Sequence, residues 1–481
     1  MTIARDTLRR FADLLGTKGY RDDPEELAPH LVDWRGVYRG AAPAMLAPVT
    51  TAEVQAAVAL AHDLGIAIVP QGGNTGMVGG ATPPADGGAL LLSTHRLNRV
   101  RSIDPAANIA VAEAGVILAT LHDAARAAGR RFPLTLGAKG SATIGGLVST
   151  NAGGTQVLRF GTMRKLVLGL EAVLPDGSLY EGLSVLKKDN RGYDLTQLLV
   201  GAEGTLGIVT AAALRIVPDV VDRAVAWIGV DSPQTALKLL RMLESRSGEA
   251  IESFEIVPAD SLALVLHHIP GARAPLSETH PWNVLVEYVR TAPGPAAASD
   301  LEALLASALE AGLATDAVIA ASEAQAEAFW RLRDSISEAE RAAGPAMQHD
   351  ISVPVDAMPD FMLSAASRVE AAFPGVTAAA FGHLGDGNVH FHVRAPAGSD
   401  AERWRDATGK AASTMVYDLV VEAGGSISAE HGIGQMKRAE LARLSPPARI
   451  AALRAIKAAL DPAGIMNPGK LVPLASETPS P

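Results

Sequence analysis

Cysteine is absent from this 481-residue chain. That excludes disulfides, thiolate metal sites, cysteine-ligated iron–sulfur clusters and a thiol-linked flavin. Any metal has only histidine, carboxylate, carbonyl or water to bind it, and any electrons produced must leave by a route outside the chain. Positive charge is scarce: 42 Lys and Arg stand against 52 Asp and Glu, a net charge of −10. A phosphate backbone is repelled by that balance, so no nucleic acid is expected as a partner. Runs of eighteen apolar residues are missing too, so no transmembrane segment is expected. The first fifteen residues lack an apolar signal core. Arg5, Arg9 and Arg10 would suit a short amphipathic presequence, but Asp6 and Asp13 favour a helix packed on the body, and the expected location is cytoplasmic.

What remains is an ordinary globular composition, long enough for two or three domains with real cores. Residues 1–40 read as a helical lead-in. From 41 to 218 short apolar strands (Ile66–Pro70, Ala89–Ser93, Ile109–Glu113, Gly169–Leu174, Gly207–Val209) alternate with glycine-dense turns and with helices such as Thr51–Leu64 and Ile117–Ala128. From 219 to 425 strands and helices alternate regularly in a β-α-β-β-α-β style, single or duplicated, with one long helix at Glu323–Ala343 and another at Ala401–Ala423. Residues 426–472 form a return segment with a turn at Ser428–Gly434 and a helix at Pro446–Leu460. Residues 473–481 read as a disordered, Pro-rich tail.

The sharpest local signal is PQGGNTGMVGG at 70–80, directly after a strand. Glycines at a strand end build a nest of backbone N–H groups suited to a pyrophosphate. Alone, the same residues could be a surface turn, and the spacing is not the dinucleotide-binding GxGxxG. Two further glycine-rich segments, 133–154 and 201–210, suggest a long ligand lying along the backbone. A second constellation is FGHLGDGNVHFHV at 381–393 with AEHGIG at 429–434. A lone strand histidine is more often a packed core residue, but His383, His390 and His392 fall within ten positions, and the last two share a strand face. Imidazoles with one carboxylate suit Zn²⁺ or a similar divalent ion. Asp386 fits a turn-shaping role better than a ligand's. Thirdly, Arg333 and Ser337 lie four apart on one helix face, ahead of MQHDISVP at 347–354. By itself Arg333 is equally an exposed helix salt bridge to Glu327 or Asp334.

Taken together, DWRGVYRG, PQGGNTGMVGG, LGAKGSATIGG, TNAGG, RFGTMRKLVLGLEAVLPDG and LKKDNRGYDL, in that order, resemble the FAD-linked vanillyl-alcohol oxidase/p-cresol methylhydroxylase superfamily. Within it the chain is similar to the D-2-hydroxyglutarate and D-lactate dehydrogenase branch, over about residues 30–472. The resemblance implies an α+β fold: a two-subdomain FAD-binding domain of the p-cresol methylhydroxylase type (41–218), a ferredoxin-like substrate or cap domain (219–425) and a C-terminal helical return segment. It places Pro70, Gln71, Gly72, Gly73, Asn74, Thr75, Gly76 and Met77 at the FAD pyrophosphate. Gly137, Ser141, Thr143, Ile144, Gly145, Asn151, Gly153, Glu203, Ile208 and Asn467 become further FAD contacts. The first loop lacks the histidine of covalently flavinylated relatives, so the FAD should be non-covalent.

The same resemblance assigns His383, His390 and Glu430 to the metal, and to Arg333, Ser337 and the residue at 348 the grip on a substrate carboxylate. Gln348 stands where those dehydrogenases usually have Lys, and His392 where they usually have Asn. Losing the lysine would forfeit about 1.5–3 kcal/mol of charge-assisted bonding, for which His392 could substitute a donor or a fourth metal ligand. The implied reaction is oxidation of a D-2-hydroxy acid, D-2-hydroxyglutarate first, to the 2-oxo acid by metal-assisted hydride transfer to flavin N5. His431 is the expected general base, its imidazole having a reference pKa of about 6.5. Electrons would pass to an electron-transfer flavoprotein or a quinone, and a homodimer is compatible with all of this. The alternatives are a dehydrogenase of D-lactate or another short D-2-hydroxy acid and, in another class, a non-catalytic flavin- or metal-binding sensor.

Overall fold

The computed structural model describes residues 3–186 and 188–473. The chain divides into two compact units. One comprises Met1–Gly154, Phe160–Asp219 and Glu430–Pro481; the other, Thr155–Arg159 and Val220–Ala429. From residue 474 on, the tail read as disordered lies outside the described residues.

The first unit contains two principal sheets. Four strands, in the order Tyr20–Arg21, Met45–Leu46, Ala89–Ser93 and Ala67–Gln71, make one of them. Its last three strands run parallel. The helix Thr51–Leu64 packs on this sheet through Val54 and Val58, which join Phe11, Ile68, Leu90 and Leu92 in one core. Thr50 starts that helix by accepting the Glu53 N–H, and Gly65 ends it in the left-handed region at φ 62°. The lead-in is helical over Arg5–Gly19 and again, briefly, over Pro24–Leu27 and Ala28–His30. Past Gly19 the chain turns extended, because Tyr20–Arg21 pairs antiparallel with Met45–Leu46, a partner that local periodicity cannot reveal.

Five antiparallel strands form the other sheet, in the order Val100–Asp104, Ile109–Glu113, Ile208–Arg215, Val167–Val173, Leu179–Gly182. Arg101 fastens it to the helix of the first: its guanidinium reaches Glu113 at 3.2 Å and Glu171 at 2.9 Å, while Thr51 donates to Glu171 at 2.8 Å. Burial alone would raise both carboxyls, but hydrogen bonds from Arg99, Arg101, Thr51 and Thr210 outweigh it and hold both below the ordinary carboxylate range. Their contribution to stability is complete above the unfolded-state pKa and is lost as pH falls through the depressed folded values. Arg101→Met is expected to cost about 1–3 kcal/mol at neutral pH and to flatten the acid limb of the stability profile. Urea titrations from pH 7 to pH 3 check this, and an unchanged acid limb refutes it.

The second unit is built on one antiparallel sheet of seven strands. Their order is Asp316–Ile319, Asp222–Val230, Trp282–Arg290, Ile251–Pro258, Thr377–His383, Asn388–Arg394, Ala346–Ser352. The first four in chain order lie 4-1-3-2 across the sheet, with helices Pro233–Ser247 and Ala297–Glu310 at the two crossovers, which is the β-α-β-β-α-β arrangement. The following elements repeat that order: strand Ala346–Ser352, helix Met358–Ala372, strands Thr377–His383 and Asn388–Arg394 and helix Lys410–Glu422, the three strands again lying 1-3-2, with only the isolated bridge of Ser352 to Ser426 at the place of a fourth strand.

Two helices read as continuous are interrupted. Glu323–Asp334 and Ile336–Ala343 are separate, because Ser335 sits at ψ −4° and its carbonyl restarts the hydrogen-bond ladder. Apolar Phe329, Leu332, Ile336 and Ala339 nevertheless enter one core, which is why the periodicity conceals the break. Residues 401–422 contain a π-helical turn at Arg405–Gly409, where one extra residue per turn shifts the buried stripe.

Candidate active site

The strand Ala67–Gln71 runs out of the first sheet into the glycine turn, and that turn lines a cavity of about 670 Å³ in the first unit. All of residues 70–77 border it, as do Gly137, Ser141, Thr143, Gly145, Gly153, Glu203 and Ile208. Three glycine-rich segments, distant in sequence, therefore share one cavity. Their approach is close enough to require glycine: a Cβ on Gly73 would lie 1.9 Å from the Ser141 carbonyl oxygen, and one on Gly72 would lie 2.2 Å from Thr143 Oγ1. The side chains of Gln71 and Asn74 serve the scaffold. Gln71 donates to the carbonyls of His30 (2.9 Å) and Ala81 (3.1 Å), and Asn74 donates to that of Val32 (2.9 Å). The turn's backbone, with the side chains of Thr75 and Met77, remains to face a ligand. Buried Thr143 Oγ1 borders the cavity with no hydrogen-bond partner. A long ligand rich in acceptors and flat apolar rings, such as FAD, fits these features.

Three assigned residues do not border the cavity. Ile144 is fully buried in the core. Asn151 ends a helix at φ 50° and accepts the Arg164 N–H. Asn467 donates from Nδ2 to the carbonyls of Gly80 (3.0 Å) and Glu203 (2.7 Å), tying the first and third segments together.

Glu430 and His431 border this same cavity. Glu203 holds the turn that follows them: its carboxylate accepts the N–H groups of Ile433 and Gly434, each at 2.7 Å. Burial pushes the Glu203 carboxyl up, against the pull of those donors and of Lys437 and Lys470. Gly432 is at φ 81°, and a Cβ there would stand 2.8 Å from Glu203 Oε1. The GIG sequence thus lets backbone N–H groups reach a buried carboxylate.

In the second unit, alternation along strands puts Glu255, His383, Phe381, His390, Asp350, His392 and Gln348 on one sheet face. The register sets Glu255 opposite His383, Phe381 and Asp350 beside His390, and Gln348 opposite His392. The rings of His383 and His390 are 5.4 Å apart, centre to centre. Gln348 reaches the Ser337 carbonyl at 3.5 Å, the outer limit of a hydrogen bond. Asp386 accepts the Asn388 N–H at 3.0 Å and shapes its turn.

While Glu327 pairs with Arg223, Arg333 is largely buried. It donates from Nε to Glu255 at 2.8 Å, and its Nη2 lies 3.0 Å from His383 Nε2. The other oxygen of Glu255 lies 2.6 Å from His383 Nδ1. Burial works to raise the Glu255 carboxyl, yet Arg333 and His383 bring it down to about 2. Burial, with Arg333 and His383 nearby, keeps His390 well below the ordinary imidazole range and hence neutral. Arg333→Ala would strand the Glu255 carboxylate beside one partner, and a loss of about 3 kcal/mol or more is expected. Urea unfolding of the second unit, followed by tryptophan fluorescence, measures it. A change under about 1 kcal/mol would mean that the pair contributes nothing net.

Glu255 escapes sequence reasoning: it is one of two glutamates in the otherwise largely apolar strand IESFEIVP, and its partners are 78 and 128 residues away. Trp34, Gly146, Ser149 and Thr150 also border the cavity unforeseen. On the helix Ile144–Thr150, Ser149 lies four residues beyond Gly145 and Thr150 four beyond Gly146, and Trp34 stands within DWRGVYRG, where no chemistry is expected of it.

Comparison with known proteins agrees with this architecture. Residues 221–471 match the family described as FAD linked oxidases, C-terminal domain, and residues 42–182 match the FAD binding domain family. A D-2-hydroxyglutarate dehydrogenase, mitochondrial, of Bos taurus is 40% identical over 94% of this chain and 80% of its own length. The protein of the same name from Arabidopsis thaliana is 38% identical over 96% and 81%. A crystal structure of p-cresol methylhydroxylase with substrate bound superposes with a TM-score of 0.71 at 15% identity, covering 97% of this chain and 96% of that one, and so shares the fold. With its glycine-lined cavity and these matches, the chain belongs to the FAD-linked oxidase family and is an FAD-dependent oxidoreductase.

Proposed function

We propose that this enzyme oxidises a D-2-hydroxy acid, with D-2-hydroxyglutarate the first candidate, to the corresponding 2-oxo acid. The observation that carries the reading is that Glu430 and His431 border one cavity with the three glycine-rich segments. The substrate comes from the relatives' names. His431 accepts the proton of the 2-hydroxyl as general base. Arg333, its guanidinium plane fixed through Nε by Glu255, offers paired donors to the acid's carboxylate, with Ser337 and Gln348 beside it. FAD, when bound, supplies the hydride acceptor. His383, His390 and Glu430 would hold a divalent ion such as Zn²⁺, and the buried imidazole at 390, kept well below its ordinary range, suits that task. Such an ion supplies positive charge that favours loss of the hydroxyl proton. Electrons then leave to an electron-transfer flavoprotein or a quinone.

A second reading, a short D-2-hydroxy acid such as D-lactate, is favoured by one feature. Gln348 and His392 face each other across the strands, where the D-2-hydroxyglutarate dehydrogenases usually carry Lys and Asn. An acid without a second carboxylate needs no lysine there. Anaerobic titration of the flavin absorbance with D- and L-2-hydroxy acids, with and without chelator, separates the readings. The D acids are expected to bleach the flavin and the L acids not, with chelation suppressing the reaction. Protein that acquires no flavin on FAD addition, or flavin that no D acid bleaches, overturns the proposal.

A further inference from the structure

We propose that Glu255 is a positioning residue that prepares His383 and Arg333 together, fixing the tautomer of one and the orientation of the other. The inference rests on the proposed roles of those two residues. Glu255 is 1% exposed, on the strand Ile251–Pro258. Its two carboxylate oxygens are divided between the two partners, at 2.6 Å from His383 Nδ1 and 2.8 Å from Arg333 Nε. The triangle closes with Arg333 Nη2 at 3.0 Å from His383 Nε2.

Hydrogen-bond chemistry fixes the protons in that triangle. A guanidinium nitrogen is only a donor, so His383 Nε2 is the acceptor and holds a lone pair. The ring proton is therefore on Nδ1 and is donated to Glu255. That arrangement is the one in which a ligating imidazole donates its other N–H to a carboxylate, which orients the ring and raises its basicity. Cross-strand register fixes it further, because Glu255 and His383 are directly paired on neighbouring strands. Arg333 comes from the helix Glu323–Asp334, and its Nε bond to Glu255 makes the same carboxylate the pivot of its guanidinium.

One consequence is an exchange. A ligand at His383 Nε2 must displace the Nη2 donor of Arg333, while the Nε bond to Glu255 is untouched. Occupying the histidine therefore releases a guanidinium donor for the carboxylate of the acid without letting the side chain swing away.

In Glu255→Gln the amide oxygen can accept from one partner only, and the amide nitrogen opposes the other donor. The FAD-replete variant is expected to bind Zn²⁺ roughly 10- to 100-fold more weakly by chelator competition. It should also show a raised KM for the acid, with flavin absorbance and FAD affinity unchanged. Zn²⁺ affinity and KM both within twofold of the parent would overturn the proposal. His383→Ala, assayed in parallel for Zn²⁺, separates the two levels. If it also leaves Zn²⁺ binding unchanged, the metal reading falls and this inference with it. If it abolishes binding while Glu255→Gln does not, the inference alone falls. Should Glu255→Gln fail to fold, ¹⁵N-histidine NMR of the unaltered protein reads the tautomer directly, the His383 signal being identified by its loss in His383→Ala. An Nδ1-protonated ring is expected, and an Nε2-protonated ring overturns the proposal.

Discussion

His431→Asn should yield a protein that still binds FAD but whose flavin is reduced about 10²–10⁴-fold more slowly by the D-2-hydroxy acid. The expectation follows from place and chemistry. His431 borders the cavity of the glycine-rich segments, and the turn beyond it is latched by Glu203 through the N–H groups of Ile433 and Gly434. Substituting the imidazole leaves that latch intact, because it is made by the backbone two and three residues further on. The loss should therefore appear in the chemical step, with FAD affinity near the parental value. Anaerobic stopped-flow reduction across pH is the measurement. The parental rate should fall on the acid side as the base becomes protonated, and that limb should vanish in the variant. A rate within threefold of the parent would remove His431 from proton transfer.

The next largest expected effect comes from the first of two glycines three residues apart. In Gly73→Ala the added methyl meets the Ser141 carbonyl oxygen at 1.9 Å, and backbone cannot rotate out of the way. Overpacking of this kind costs about 1–3 kcal/mol or more, which corresponds to roughly tenfold to hundredfold weaker FAD binding if the turn yields by moving into the cavity. Gly76→Ala is the informative contrast. Gly76 also borders the cavity, but a Cβ there meets nothing within 4 Å. The apo-protein should melt as the parent does, and its FAD affinity should fall only if the cofactor lies against the turn. Parental FAD affinity in both variants would show that the cofactor does not depend on this turn.

These residues also mark what the sequence makes legible. Glycine in runs is informative because few folds need that much backbone exposed, and three such runs in collinear order pointed to a flavin. Histidines on alternate strand positions were legible for the same reason, since the pattern is local. What was hidden depends on distant partners. Glu255 is unremarkable until Arg333 and His383 fold against it. The pairing of Tyr20–Arg21 with Met45–Leu46 cannot be inferred from residues 1–40. The break at Ser335 is masked because the apolar spacing carries through it, and the π turn because its residues, RDATG at 405–409, include no large apolar side chain whose displacement would show. Metal-ligand and clamp roles came through resemblance, because no local pattern distinguishes a ligating histidine or a clamping arginine from a packed one.

The third segment of the first unit has a bearing on biosynthesis. Ile465 and Asn467 bond to the backbone of Ile68 at 2.8 Å each, Met466 lies parallel beside it, and Lys457 reaches the Thr205 carbonyl at 2.7 Å. A ribosome releases residues 1–219 first and must then translate 220–429 before any of these contacts can form. At typical elongation rates that gap lasts roughly 10–40 s. Through it the edge strand Ala67–Gln71 lacks its late neighbour, and the nascent cavity lacks Glu430 and His431. Stable FAD loading should therefore await chain termination, and messages cut short after codon 429 should produce a colourless product prone to pairing through that open strand.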